Sequence, residues 1–365
     1  MERRSGDAFS VCFNSMKIKY TDYDESLKFK NFLVPEDKVN VFINFESVLM
    51  LLSRIPDLEK KIILERDFST IMVSNIINLI AHYRGFFVSN GLDTKVYVYM
   101  TGFNSLQFPQ NKYIDDYRSY YIVKWTENPK FIQLSENLRR TILPLVKTYL
   151  EFIPNCYFID TENIEGSLVP YVIAKSDDKR KNLIVSGDIF DSQYSLMDNF
   201  VIHYIHRGMQ RTYIASTPAE FLKGILKKDD NAIADDMKKV FGYYPFFISL
   251  LSVLGDKSRS IEGIVGVKTT TLFKMITEAI TGSKIQAITE SPILISEIFD
   301  KDDDRKEEFE NNFRATSIKM GYDEITDADI TSILNQRVDR LDINSLVNLN
   351  NTVFAKYPLI LERLL

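Results

Sequence analysis

The residues best suited to chemistry lie in "IEGIVGVKTTTLFKMI", residues 261–276, where Gly263 and Gly266 sit three apart, Lys268 follows, and Thr269, Thr270 and Thr271 come next. Glycines at that spacing let backbone N–H groups approach a ligand, lysine adds a point charge, and threonines at a helix start donate hydroxyls. Together these suit a phosphate. The same residues also make an ordinary polar turn between two helices, and the stretch alone leaves both readings open. His203 and His206, in "VIHYIHRG", have a spacing that would suit a metal on a helix. The stretch reads as a strand instead, which sends the two rings to opposite faces, so structural or surface roles are expected. No Ser/His/Asp or Cys/His arrangement has a supporting context. Cys12 and Cys156 are far apart and each lies beside an aromatic residue, as buried thiols in a reducing compartment do.

The elements that must position such groups follow from periodicity. "KVNVFINFES" (38–47), "KVYVYMTGF" (95–103), "CYFIDTEN" (156–163) and "KNLIVSGDIFDSQ" (181–193) are short apolar runs of the kind that form buried parallel strands. Helical patterns separate them: "VLMLLSRI", residues 68–91 closed by Gly91, residues 135–153 with a kink expected at Pro144, and "EGSLVPYVIAKS". "NFVIHYIHRGMQRTYIAS" suggests further strands. Alternation of this kind predicts a parallel sheet with helices on both faces, in which the residues ending each strand line the ligand site. After residue 216 the pattern turns helical, beginning with Thr217, Pro218 and Glu220 as a capping signature. The charge run at 300–312 reads as a solvated helix or linker, and Thr326 as a helix cap.

With 365 residues, 45% of them hydrophobic, the chain is long enough for one large or two joined domains with a sizeable core. A net charge of −5 gives no global attraction to nucleic acid, so any such binding needs a local basic patch. No apolar run has transmembrane length and "MERRSGDAFS" lacks a signal-peptide core, so a cytoplasmic protein is expected. Heavy use of Lys, Asn, Ile, Asp, Phe and Tyr is typical of AT-rich genomes, such as those of many phages.

The order of parts resembles the 5′-nuclease (flap endonuclease) family, which includes phage 5′-exonucleases. "LSVLGDKSRSIEGIVGVKTTT" is similar to that family's LxGDxSDNIPGVPGIGxKTA segment at Leu254, Gly255, Asp256, Ser258, Ile261, Gly263 and Gly266. "LIVSGDIFDSQ" is similar to IVSGDKDLLQL at Ser186, Gly187, Asp188 and Gln193. The resemblance covers about residues 38–285 and implies four segments. These are an arm or edge element at 1–37, a PIN-like α/β domain at 38–215, a helix-three-turn-helix module at 216–290, and a C-terminal helical extension at 291–365.

The chemistry implied is two-metal phosphodiester hydrolysis, which needs a cluster of carboxylates. Only Glu165, Asp188 and Asp256 match it, with Asp188 and Glu165 as the implied metal ligands. The other acidic positions fall on Asn44, Thr101, Ser167, Leu168 and Phe190. Glu46 lies two residues after Asn44, and Asp191 one residue late and on the far side of a strand; these two could rebuild one site. The resemblance thus implies a catalytically degenerate member with no cofactor, or Mg²⁺ if activity survives. In the hairpin, Lys268 replaces a glycine and Arg259-Ser260 replaces Asp-Asn. Lys257, Arg259, Lys268 and Lys274, with Gly263, Gly266, Thr269 and Thr270, are the implied contacts to a nucleic-acid backbone. The aromatic-rich segment 104–132 lies where family members thread single-stranded DNA, but its acids suit packing or a protein partner better. Three functions stay open: a DNA-binding or scaffolding pseudo-enzyme in a larger phage assembly, an active nuclease, and a purely structural subunit.

Overall fold

In the computed structural model the described residues are 37–52, 68–101, 108–119, 138–161, 163–177, 179–204, 213–215, 244–264, 266–267 and 302–337, with 344 and 347–348. The expected helix start at Thr217, the N-terminal arm up to residue 36, His206, and Lys268 to Thr271 lie outside them.

The strands are β1 (Lys38–Asn44), β2 (Asp93–Thr101), β3 (Cys156–Thr161), β4 (Lys181–Ser186), β5 (Phe200–Tyr204) and β6 (Tyr213–Ala215). They form one sheet in the order β3-β2-β1-β4-β5-β6. The first five are parallel, as expected, while β6 pairs antiparallel with β5. Residues 205–212 are too few for a crossover, which takes a dozen or more, so the chain can only turn back. Strand order reverses between β1 and β4, so their carboxyl ends open a crevice at the switch point.

Alternate residues of the strands feed two cores. Val39, Val41, Ile43, Val96, Val98, Leu183 and Val185 face helices α1 (Phe45–Leu52), α2 (Phe68–Ser89) and α3 (Leu143–Glu151). A π turn over Leu138–Ile142 precedes Pro144, which sits in the first turn of α3, so the expected kink is a change of helix type. On the opposite face Phe42, Tyr97 and Tyr157 stack across three neighbouring strands, with ring centroids 5.1 and 5.2 Å apart. This face is covered by α4 (Val169–Ser176), α5 (Tyr244–Leu254), α6 (Asp303–Thr316), α7 (Ile318–Glu324) and α8 (Asp327–Asn335).

The charge run is therefore a helix, not a free linker: α6 keeps its acids outward and buries Phe309 and Asn312. Phe309, Ile318, Ile325 and Ile333 belong to the same core as Phe42 and Tyr99, so the C-terminal helices are packed on the sheet. Gln193 helps to fix them by donating to the Thr316 carbonyl (2.8 Å) and accepting from the Ile318 N–H (3.0 Å). Thr326 caps α8 in a reciprocal box with Asp329, as its sequence implied.

Asn312 donates from Nδ2 to the carbonyls of Ser252 (3.0 Å) and Glu262 (2.9 Å), tying α6 to α5 and to the turn that follows it. Asn312→Ala leaves two carbonyls without a donor and is expected to cost about 2–4 kcal/mol. Urea unfolding should read this as a lowered midpoint with an unchanged slope.

Candidate functional site at the carboxyl ends of the strands

Each strand end delivers a polar residue to the crevice. Asn44, at the end of β1, is buried; its Oδ1 accepts from the Ser47 N–H (3.0 Å), capping α1, and its Nδ2 donates to Asp191 (2.8 Å). Glu46 leaves the first turn of α1 and accepts from the Thr101 N–H at the end of β2 (3.2 Å). Beyond β3 the chain presses against β2 at Gly166, where any Cβ would lie 2.7 Å from the Thr101 backbone nitrogen. That approach, fixed by the Gly166 N–H donating to Thr101 Oγ1 (2.8 Å), sets Glu165 in the centre of the crevice. Asp188 follows β4 and caps the next turn by accepting from the Phe190 N–H (2.9 Å).

The hairpin closes the crevice from above. At its start Gly255 has φ +71°, and a Cβ there would stand 2.4 Å from the Gly263 nitrogen. Asp256 accepts from the Ser258 N–H (2.9 Å), and its backbone pairs with Ile261. Gly263 lies against the Leu254 carbonyl and Gly266 is exposed at φ +82°, so both glycines serve the turn. Lys257 is exposed.

Arg259 corrects the sequence reading. Expected to contact a nucleic-acid backbone, it has no exposed surface and points into the crevice. Nη1 and Nη2 fork onto Asp188 at 3.0 and 2.7 Å, Nη1 also donates to Asp256 (2.6 Å), and Nη2 reaches Glu165 (3.2 Å). The guanidinium carbon stands 4.1 Å from the centre of the Phe190 ring.

A second arginine, with no signal in the sequence, enters beside it. Arg118 donates from Nε to Glu165 Oε2 (2.8 Å), from Nη2 to Glu165 Oε1, and from Nη1 to Glu46 (3.4 Å). Tyr117 adds a hydroxyl to Glu165 (3.1 Å), so this part of the aromatic-rich segment packs inward as composition suggested. Glu46, Glu165, Asp188 and Asp256 thus surround Arg118 and Arg259, four carboxylates on two guanidinium ions.

Asp191 is not on the far side of a strand. The chain turns through a 3₁₀ segment over Phe190–Leu196, and its buried Oδ2 accepts from Asn44, the Tyr99 hydroxyl (2.8 Å) and Ser186 Oγ. His203 is a core residue whose Nδ1 lies 2.7 Å from the Tyr83 hydroxyl, and burial lowers it to about 3, leaving the ring neutral.

The charges interlock. Burial would raise the Glu165 carboxyl, but Arg118 and Arg259 bring it down to about 2. Burial likewise pushes Asp188 up, and Arg259 outweighs it, so the net shift is downward. Both arginines are held well above their ordinary range despite burial, chiefly by Glu165 and by Glu46 or Asp188. Glu46 moves upward because burial exceeds the pull of Arg118.

A divalent ion needs several oxygens arranged about an open centre. Here guanidinium groups fill that centre and use those oxygens. Among the described residues no group of three or more His, Cys, Asp or Glu side chains is disposed to hold a metal. The site as it stands does not fit Mg²⁺.

No family model and no curated protein matches the sequence. Solved structures do match. One is a bacteriophage T5 flap endonuclease in a pseudo-enzyme–product complex with DNA and metal ions, at TM-score 0.54 and 15% identity, over 82% of this chain and 99% of that one. The T5 5′-exonuclease with bound zinc matches at 0.53, and a T5 protein co-crystallised with metal ions at 0.51, each at 15% identity over 82% of this chain and 99% and 100% of theirs. The fold is that of a 5′-nuclease.

Two outcomes follow from the buried charges. Glu165→Gln strands two buried guanidinium groups on the remaining carboxylates and should destabilise by about 3–5 kcal/mol in denaturant titration. Burial, then the Asp188 charge, raises Asp191 from 3.8 to about 6. Its contribution to stability is complete below pH 3.8 and is lost as pH rises through about 6. Asp191→Asn should therefore flatten the fall in stability across that window, leaving the smaller part due to Glu46. The Glu165 contribution runs the other way, present above 4.5 and lost as pH falls through about 2.

Proposed function

We propose that this protein is a catalytically silent 5′-nuclease-like subunit that binds duplex or branched DNA, or scaffolds it, within a larger assembly. The observation that carries the reading is the pair of buried arginines on the carboxylates at the switch point. Two-metal hydrolysis needs those oxygens free to bind ions and activate water. A guanidinium ion neutralises them, but it has no open coordination position and cannot lower the pKa of a bound water. The T5 neighbours, one in complex with DNA and metal ions, support a nucleic-acid role for this fold. The hairpin retains its two turn glycines and an exposed Lys257, which suits contact with a phosphate backbone. Among the described residues no helix is long and apolar enough to cross a membrane.

Purified protein should not cleave a 5′-flap substrate in Mg²⁺ or Mn²⁺. Robust cleavage abolished by Asp188→Ala would overturn the reading in favour of an active nuclease. Binding of branched DNA should weaken with salt, and Lys257→Ala and Lys268→Ala should each reduce the slope of log K against log salt by about one. Binding indifferent to both substitutions and to salt points instead to a purely protein-binding subunit.

A further inference from the structure

Arg118 and Arg259 belong to segments far apart in sequence, yet they enter the crevice as a unit. The Arg118 N–H donates to the Arg259 carbonyl (3.1 Å), and the hydroxyls of the following residues, Ser119 and Ser260, lie 3.3 Å apart. Arg118 holds φ 63° and Asp116 φ 54°, left-handed backbone at non-glycine residues, and this sharp turn belongs to the segment that carries the guanidinium inward. The cluster divides between them. Arg118 takes Glu46 and Glu165, Arg259 takes Asp188 and Asp256, and Glu165 bridges the two.

Silencing a metal site requires only the loss of ligands, and apolar Leu168 and Phe190 already provide that. The arginines do something further: they supply a cation to Glu46, Glu165, Asp188 and Asp256, four of the five carboxylates at the crevice. A separate observation marks the same crevice as short of partners. Asp191 is fully buried, its Oδ1 has no hydrogen-bond partner, and its charge is repelled by that of Asp188.

We propose that Arg118 and Arg259 are the resident cations of this site. They hold the strand ends and the hairpin together as bound divalent ions would, so the fold needs no metal. Removing both guanidinium groups then uncovers a divalent-cation site built from Glu165, Asp188 and Asp256, with Glu46 and Asp191 at its edge. The proposal rests on the reading that the native site is closed to metal.

The test uses the full chain and Mn²⁺ as the probe, with thermal unfolding and the loss of the free-Mn²⁺ paramagnetic signal as readouts. The native protein should show neither a Tm shift with Mn²⁺ or EDTA nor any bound Mn²⁺. The double variant Arg118→Ala/Arg259→Ala should bind Mn²⁺ and gain about 5 °C or more in saturating ion. Adding Asp188→Asn should abolish both effects. If the double variant is not folded without ion, recovery on refolding with Mn²⁺ but not with EDTA supports the proposal, and equal failure in both overturns it. A folded double variant that takes up no Mn²⁺, beside an inert native protein, overturns this proposal and leaves the proposed function standing. Native protein that binds Mn²⁺ and cleaves a flap overturns both.

Discussion

A single guanidinium group, that of Arg259, joins the hairpin to the ends of two strands. It grips Asp188 after β4, Asp256 at the start of the hairpin, and Glu165 beyond β3, while its face lies on Phe190. Parallel strands that end in acids at one crevice repel one another once water is excluded. An ion taken out of water must be paired on every side or it costs several kcal/mol. Arg259 and Arg118 answer both demands through their forks, each planar guanidinium matching a carboxylate, although Arg259 Nε is left without a hydrogen-bond partner. Lysine in either place would supply charge without that fork.

The rest of the architecture follows from keeping those two cations buried. Gly166 brings the Glu165 segment against the end of β2, and Gly255 lets α5 turn at once into the hairpin that carries Arg259. Asn312 and Gln193, both deeply buried, use side-chain amides to pin the C-terminal helices beside the site. Phe309, Ile318 and Ile333 of those helices are buried in the second core, on the same face of the sheet as Phe42 and Tyr99. Asp191, meanwhile, is supported by neutral donors and no cation, so burial and then the Asp188 charge raise it to about 6.

In this fold the carboxylates at the switch point are paired with the chain's own arginines, Arg118 and Arg259. The hairpin that could meet a nucleic-acid backbone has spent one of its basic residues on the interior. Among the described residues of the hairpin, Lys257 and Gly266 face outward.

Much of this was legible from residue order. Short apolar runs rich in Val, Ile and Phe that alternate with helical patterns read as strands buried on both faces, so β1 to β4, the helices between them and the location of the crevice followed from the sequence pattern. The Thr326 cap was implied by local spacing, and the gathering of Glu165, Asp188 and Asp256 at one place by the resemblance to the 5′-nuclease family. Arg259 left a trace, because it reverses the charge of an acidic position in the segment that resembles the family's hairpin. Three acids without a metal require a counter-charge, and that trace was the one available. Arg118 left none. Its role depends on a strap packing across the ends of strands remote in sequence, and on a backbone turn that no periodicity encodes. The direction of β6, the docking of α6 and the turn that brings Asp191 inward were likewise decided by tertiary packing. Sequence by itself determined which groups carry charge and which strand ends bear them. Only the folded structure decided which charges meet, because pairing energies depend on distance and on the exclusion of water, and neither is a property of neighbours along the chain.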